Sequence, residues 1–248
     1  MTTPDARQFV GQVIESHGGE AYWNSLEALD AEISASGFLF TAKHRRPLSH
    51  VRVRAFAREP VFTFFDFPNK GQTSELVGDQ EVTIRDSDGR IAARRERPRS
   101  AFRGLRRQFV WDDLDFIYFG GYATWNYLTT PFLFLRPGFE FELLSPVTRD
   151  SASWSRLRVT FPDDIPTHSR TQLCYFDQDR YLRRLDYTAS VVGQWAHGAH
   201  FCHGYRTFDE IKAPTSRRVR PLMLGTYLLA WPTLVALDIH NIWPIALV

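Results

Sequence analysis

His168 is the titratable side chain whose surroundings in the sequence suit acid–base chemistry best. It lies in Thr167-His168-Ser169, directly after Pro166 and before a predicted strand. An imidazole at a strand entrance can act as a general acid or base near neutral pH. The alternative, which we favour, is a turn histidine bonded to nearby backbone. Gln172, four residues later, could share this environment as a neutral hydrogen-bond partner.

A second group of histidines surrounds a cysteine: His197, His200 and His203 flank Cys202. In a strand, His197 and His203 share one face while His200 and Cys202 share the other, so the spacing does not predict a metal site. We favour structural or exposed histidines, with His200 as the one that could face a cavity. P-loop, Rossmann, nucleophile-elbow and HExxH patterns are absent, so we expect neither a cofactor nor a metal.

Aromatic and amide side chains concentrate in one central block that includes Tyr118, Tyr122, Trp125 and Asn126. These side chains could stack on or hydrogen-bond a ligand. Core packing of an amphipathic helix is the alternative, which we favour for most of them. Gly120-Gly121 inside the block costs ~1 kcal/mol of helix stability per glycine. That cost predicts a close approach of the backbone to a sheet or to a ligand.

Two further candidates lie on predicted strands. Tyr187 is part of a long predicted hairpin, and with His168 and His200 it completes the set that we expect to be catalytic if the protein is an enzyme. Arg52 and Arg54 alternate with valines and therefore share the face opposite the apolar one. Arg54 could bind an anionic head group there, or simply face water.

The elements that would position these side chains are mostly strands. Helical spacing predicts a first helix over residues 4–17, a short one over 20–26 and a helical segment over about 100–135. Alternating or continuous apolar patterns predict strands over 33–41, 51–57, 61–67, 81–85, 90–94, 139–144, 155–161, 169–176, 181–191, 195–208, 216–221 and 233–242.

The order of these elements predicts the fold class. No crossover helices separate the strands, which favours an antiparallel sheet, and a long antiparallel sheet curls because its strands twist. The aromatic helical segment is suited to fill the concave face, and incomplete filling would leave a pocket. We therefore predict an α+β fold: a strongly curved antiparallel sheet, an open or half β-barrel, with helices in its concavity. Residues 1–248 are expected to form a single domain.

Composition narrows the class of partner. Hydrophobic residues make up 44% of the chain and aromatic residues 15%, including 20 Phe, which favours an aromatic core or ligand site. The 30 basic and 28 acidic side chains leave a net charge of +2, so no nucleic-acid partner is expected. The first residues contain no basic region followed by an apolar stretch, which leads us to expect a cytoplasmic protein.

Two stretches are unusual in their charge. Residues 90–107 are strongly basic. We favour a solvent-exposed loop or helix face for them over a site that binds an anion or a partner. Residues 222–237 carry no charge but are shorter than the ~20 residues of a spanning helix, and they contain Gly225 and Pro232. We expect one or two buried strands here rather than a membrane-contacting tail.

Four segments carry a resemblance that covers nearly the whole chain. They are HGGEAYWNSLEAL (17–29), WDDLDFIYFGGYATWNYLTTPFLF (111–134), FPDDIPTHSRTQ (161–172) and YFDQDRYLRRLDY (175–187). In these segments the sequence resembles a widespread bacterial family whose architecture is similar to the lipoprotein carriers of the LolA and LolB type. Those carriers are incomplete β-barrels that hold acyl chains in an apolar groove. The resemblance implies the same open barrel with a cavity for a hydrophobic ligand, although the first residues do not have the pattern expected of a signal peptide.

The sequence is therefore compatible with three functions. The leading one is the binding of a hydrophobic small molecule, either a lipid or an intermediate of secondary metabolism, in the barrel cavity. The second is a cofactor-independent cyclase, isomerase or dehydratase, because an indole-rearranging enzyme of violacein biosynthesis is similar in architecture. The third is an interaction or scaffold protein that uses residues 90–107 and 222–237. The sequence leaves open whether the protein is an enzyme.

Overall fold

Strands account for just under half of the chain in a computed structural model that describes residues 2–149 and 152–247. Within these described residues, thirteen strands follow one path through the sheet, and β13 pairs with the end of β12. The strands are β1 (Leu26–Ser36), β2 (Leu48–Phe56), β3 (Val61–Phe65), β4 (Thr73–Val77), β5 (Glu81–Arg85), β6 (Ile91–Glu96), β7 (Glu140–Arg149), β8 (Ala152–Thr160), β9 (Thr171–Phe176), β10 (Leu182–Thr188), β11 (His197–Phe208), β12 (Ile211–Met223), β13 (Tyr227–Leu228) and β14 (Val235–Ala246).

The sheet consists of two meanders joined by the C-terminal strand. Its order is β6-β5-β4-β3-β2-β1-β14-β12-β11-β10-β9-β8-β7, and the paired strands are antiparallel. β14 pairs with β1 over Leu26–Ser36 and with β12 over Ser216–Val219. β6 and β7 stand at the two ends of this order, so the sheet is open within the described residues. The predicted open antiparallel sheet is confirmed.

In the described part of the chain, four α-helices and three 3₁₀ turns accompany the sheet. They are α1 (Pro4–Ser16), α2 (Glu20–Asn24), α3 (Phe38–Ala42) and α4 (Asp113–Thr129), with 3₁₀ turns at Pro98–Arg103, Leu105–Gln108 and Phe132–Leu135. α4 begins at a reciprocal cap: Asp112 Oδ1 accepts the Asp115 N–H at 2.9 Å, and Asp115 Oδ2 accepts the Asp112 N–H at 3.1 Å. Two of the four orphan donors of the helix start are thereby satisfied.

α4 is the helix that fills the interior, and it packs against β2, β3, β4, β5 and β6. Nearly every side chain from Asp115 to Thr129 is buried, so the helix is enclosed rather than amphipathic. A Cβ built on Gly121 would lie 3.0 Å from Leu76 Cδ2 and 3.6 Å from the Phe62 ring. The glycine therefore allows the close approach to the sheet that the sequence predicted.

Three predictions about the elements need correction. Residues 38–41 are not a strand, because β1 ends at Ser36 and the chain turns at Gly37 (φ +129°) into α3, whose first N–H groups bind the carbonyls of Thr233 and Leu234. α-Helix covers only Asp113–Thr129 of the predicted segment 100–135, since 3₁₀ turns precede and follow it. β4 was not predicted at all.

Residues 222–237 are the clearest error. Leu222 and Leu237 are buried as expected, but between the end of β12 at Met223 and the start of β14 at Val235 the chain forms only the two-residue strand β13. Met223, Leu224 and Trp231 are exposed. The buried-strand prediction is therefore wrong for most of this segment.

Candidate functional site

One stripe of α4 lines a narrow cavity, called the slot below. The residues of this stripe recur at three- and four-residue intervals along the helix. Two of them, Gly120 and Ala123, are small and leave room beside the rings of Phe116 and Phe119. The opposite walls come from α3, from strands of the sheet and from Trp111. The slot is lined by Ala35, Leu39, Phe40, Arg45, Leu48, Phe64, Trp111, Phe116, Phe119, Gly120, Ala123, Thr124, Tyr127, Tyr187, Val235 and Leu237.

The slot is small and mainly apolar. Its volume is about 50 Å³, well below the ~300–1,000 Å³ of pockets that enclose drug-sized ligands. Only four of its lining side chains are polar or charged, among them Arg45 and Thr124. A thin apolar chain suits this shape, whereas a bulkier group would have to displace α3 or the residues before Trp111.

Behind the slot lies a buried cluster of one histidine and three tyrosines. The His168 ring stacks on the Tyr187 ring, with 4.2 Å between the centroids and 10° between the planes. His168 Nε2 lies 2.8 Å from the Tyr127 hydroxyl and Nδ1 lies 3.1 Å from the Tyr122 hydroxyl. The Tyr127 and Tyr187 hydroxyls are 3.2 Å apart. Both nitrogens of His168 therefore have partners, and Tyr127 and Tyr187 connect the cluster to the slot.

Burial fixes the protonation of this cluster. Desolvation, reinforced by the nearby cation of Arg99, lowers the pKa of His168 to about 3, so the ring is neutral at pH 7. Desolvation also raises the pKa of Tyr127 to about 12 and that of Tyr187 well above its usual value. The hydroxyl groups stay protonated, and at neutral pH the cluster offers hydrogen bonds rather than charge.

His200 faces the same interior on β11. It is fully buried, its ring lies 4.4 Å from the Tyr127 ring in an edge arrangement, and neither ring nitrogen has a hydrogen-bond partner among the described residues. Desolvation lowers the pKa of His200 well below its usual value, and the cation of Arg217 acts in the same direction. Arg217, also buried, donates to the Tyr127 carbonyl at 2.5 Å. His200 is therefore near the cluster without being bonded to it.

Five other predicted residues lie outside the slot, and Trp125 and Asn126 are two of them. Trp125 donates to the Phe56 carbonyl at 2.8 Å, as a core residue packed on the sheet. Asn126 donates to the Tyr122 and Pro166 carbonyls at 2.7 and 2.8 Å. The bond to Pro166 connects α4 to the segment that carries His168.

Tyr118 and Gln172 likewise have structural partners. The Tyr118 hydroxyl donates to Asp79 Oδ1 at 2.5 Å and accepts from Arg99 at 3.1 Å. Gln172 donates to the Thr167 hydroxyl at 2.6 Å and thereby supports the loop next to His168.

Arg54 does not line the slot. Its guanidinium binds Asp30 at 2.6 and 3.1 Å, and Arg52 binds the same carboxylate at 2.7 Å. These bonds hold the pKa of Asp30 below its usual value against the opposing effect of burial, which is the larger single influence. Val53 is buried in the core, so Arg54 lies on the opposite face of β2, as the alternation predicted.

The side chains of β11 lie on the two faces of the strand as predicted. Cys202 belongs to the main core, and His200 lies on the same face as Cys202. Phe201 packs in a separate small cluster on the other face. Within residues 2–149 and 152–247, no group of three or more His, Cys, Asp or Glu side chains could hold a metal ion.

The sequence prediction singled out Gly120 but missed the slot-lining residues Phe119, Ala123 and Thr124, and it also missed Arg217. The spacing of small residues between aromatic ones on α4 was the available signal for the first three. No signal identified Arg217, because a lone arginine in a strand is most often exposed.

No helix among the described residues has both the length and the apolar character needed to cross a membrane. No protein-family model matches the sequence, and no curated protein matches it.

Solved structures with the same architecture share little sequence with this chain. A LolA superfamily protein from Nitrosomonas europaea superposes with a TM-score of 0.55 at 9% identity, over 98% of this chain and 94% of its own. A domain described as an outer-membrane lipoprotein-sorting protein, from Vibrio parahaemolyticus, gives 0.54 at 9% identity, over 97% and 92%. A DUF1329 family protein from Desulfovibrio piger gives 0.53 at 12% identity, over 98% and 94%. The predicted resemblance holds at the level of the fold: the chain has the open, curved antiparallel sheet of LolA superfamily structures.

Proposed function

We propose that this protein binds a hydrophobic small molecule with a slender apolar arm, such as an acyl chain, in the slot between α4 and the sheet. The observation that carries the proposal is the apolar lining of the slot at the one place where Gly120 and Ala123 interrupt the aromatic surface of α4. Burial of each CH₂ group there contributes about 0.8 kcal/mol, so even a short buried segment gives measurable affinity.

A neighbouring groove suits the polar end of such a ligand. The groove has a volume of about 390 Å³, and it shares Arg45, Leu48 and Phe116 with the slot. It is also lined by His44 and Arg46. Its one acidic residue, Asp113, is paired with Arg45. Positive charge beside an apolar slot favours an amphiphile with an anionic head group.

The test is direct binding of a dansyl-labelled fatty acid, followed by its displacement with an unlabelled one. We expect saturable binding of one probe per chain. Gly120→Leu would place a side chain in the slot, because a Cβ at Gly120 already lies 3.6 Å from the Phe64 ring. This variant should bind the probe roughly tenfold more weakly, a loss of about 1.4 kcal/mol.

Gly11→Leu is the matched control for this substitution. Gly11 is an exposed position of α1, and a Cβ built there meets no atom within 4 Å. It should bind the probe as the unchanged protein does. Absence of saturable binding, or equal binding by both variants, would contradict the proposal. Native mass spectrometry of the protein from its own host, with extraction of bound compounds, would identify the natural ligand class.

A second candidate function is a cofactor-independent isomerisation, cyclisation or dehydration. One observation favours it: Tyr127 and Tyr187 line the slot, and their hydroxyl groups connect it to His168. Such a site would orient a reactive conformer and exchange a proton through a hydroxyl group.

Turnover distinguishes the two functions. An enzyme would convert the co-purifying compound, and Tyr187→Phe would stop conversion while leaving probe binding within about twofold, a change of less than 1 kcal/mol. A carrier would release the compound unchanged. Because the cluster is neutral and fully hydrogen-bonded within itself, binding is the function that we favour.

A further inference from the structure

Large apolar side chains are exposed around one end of the molecule. Leu224, Trp231 and Leu105 expose 81%, 78% and 78% of their surface, and Trp195 and Phe109 expose 73% and 64%. Scattered exposed apolar residues are ordinary, but a contiguous group marks a contact surface.

Hydrogen bonds place these residues in adjoining segments. The N–H groups of Phe38 and Leu39, at the start of α3, bind the carbonyls of Thr233 and Leu234. Lys43, just after α3, donates to the carbonyls of residues 107 and 108. α3 is a single five-residue helix, so it connects the segment that carries Trp231 to the one that carries Leu105 and Phe109.

The same end also carries the mouth of the slot. Leu39 and Phe40 of α3, Trp111 and Val235 all line the slot, and each belongs to or directly follows one of the exposed segments. Trp195 lies on the same side, since it is two residues before His197, whose ring would lie 3.9 Å from a Cβ built on Gly225. The exposed apolar residues therefore form a rim at the slot, called the apolar rim below.

Basic side chains outnumber acidic ones around the apolar rim, where Asp113 is paired with Arg45 and Asp112 with Arg107. Residues 37–49 contain three Lys or Arg, residues 99–111 contain four, and residues 221–237 contain none; the three segments together contain no Asp or Glu. The whole chain, by contrast, balances 30 basic against 28 acidic residues. Arg46 and Arg106 are exposed and form no ion pair within the described part of the chain.

We propose that the apolar rim docks the protein on an anionic phospholipid membrane surface, with the slot facing the lipid. Exposed leucine and aromatic side chains would enter the interfacial region of the bilayer, where Trp and Tyr rings are favoured. The flanking arginines would bind anionic head groups. A protein partner could also cover apolar residues, but an excess of basic side chains together with exposed tryptophan and tyrosine rings is the pattern that favours an anionic membrane surface.

The experiment is flotation with vesicles of phosphatidylcholine alone and of phosphatidylcholine mixed with phosphatidylglycerol. We expect flotation with the anionic vesicles, weakened by high salt because the head-group attraction is screened. Leu224→Glu, Trp231→Glu and Arg106→Glu should each weaken binding by about tenfold or more. Quenching of tryptophan fluorescence by brominated lipid should fall in Trp231→Phe.

Matched controls lie on other parts of the surface. Trp243 is also exposed and lies on β14, eight residues and roughly 26 Å along the strand from Val235. Arg7 is exposed on α1. Trp243→Glu and Arg7→Glu should float like the unchanged protein.

Three results would overturn the docking proposal. The first is no flotation with anionic vesicles. The second is an equal loss in the Trp231→Glu and Trp243→Glu variants. The third is self-association through the apolar rim, seen as a dimer that Leu224→Glu converts to a monomer without any vesicle binding. Probe binding in vesicle-free solution is measured on the same variants, so failure of the slot and failure of the apolar rim are distinguishable.

Discussion

At the scale of single residues, His168 is held as a neutral hydrogen-bonding group rather than as a poised base. Tyr122 and Tyr127 bond its two nitrogens, and Tyr187 covers one face of its ring. A general base that operates near pH 7 needs a pKa near 7, whereas burial brings the pKa of His168 to about 3. This difference is the main reason that we favour binding over catalysis.

The buried His168 makes a specific prediction about acid stability. In the unfolded chain its pKa returns to about 6.5, so the unfolded state binds a proton below that pH while the folded state does not until about pH 3. Stability is therefore full above pH 6.5 and falls as the pH drops toward 3. Between pH 7 and pH 5 this single group should reduce the free energy of unfolding by about 2 kcal/mol.

Urea unfolding at the two pH values measures this loss. His168→Gln should shrink the difference between pH 7 and pH 5 by about 2 kcal/mol, whatever its effect on stability at pH 7. His240→Gln, at an exposed position, should leave the difference unchanged. An unchanged difference in His168→Gln would mean that the imidazole is already charged in the folded protein.

Part of the buried cluster was predicted from its residue types in the sequence. His168, Tyr122 and Tyr187 were singled out from the sequence, and the fold places them within hydrogen-bonding or stacking distance of one another. Arg54 was singled out too, yet it lies on the opposite face of β2 against Asp30. Alternation along a strand identifies two faces but does not say which face meets a cavity.

At the scale of elements, α4 carries two different stripes. One stripe, which includes Gly121 and Trp125, packs tightly against the sheet. The other, which includes Gly120 and Ala123, lines the slot. Two adjacent glycines therefore serve opposite purposes: Gly121 brings the backbone close to Leu76, and Gly120 leaves space open.

Alanine substitution separates these two roles. Gly120→Ala adds a Cβ in ordinary contact with Phe64 at 3.6 Å, so it should gain up to about 1 kcal/mol from helix propensity. Gly121→Ala adds a Cβ 3.0 Å from Leu76 Cδ2 and 3.3 Å from its Cβ, and overpacking of this kind costs about 1–3 kcal/mol. Urea unfolding should rank Gly121→Ala below Gly120→Ala; equal stabilities would show that Leu76 moves freely.

The type of each helix or strand was more predictable from the sequence than the residues at which it begins and ends. Alternation and turn residues identified most strands, and Asp86-Ser87-Asp88-Gly89 joins β5 to β6 as predicted. α3 was predicted as strand because its residues are apolar and aromatic, and the tertiary bonds to Thr233 and Leu234 decided otherwise. Residues 222–237 were expected to be buried because they lack charge, but lack of charge is equally a property of an exposed apolar surface.

At the scale of the whole molecule, the order of strands explains why the slot and the apolar rim lie together. β14 pairs with both β1 and β12, so the connections at its start meet the β1–β2 connection that contains α3. α4 begins at the same end, where Arg45 pairs with Asp113. A ligand path from the apolar rim into the sheet therefore needs no passage through the tightly packed half of the core.

The most direct test of the central claim is photo-crosslinking with a fatty acid that carries a diazirine along its chain, followed by mass-spectrometric mapping. We predict label on slot-lining residues of α4, chiefly Phe119 and Ala123, and on Val235 across the slot. Excess unlabelled fatty acid should remove this label. Label confined to exposed residues such as Leu224, or no label that competes, would contradict the claim that the slot binds the ligand.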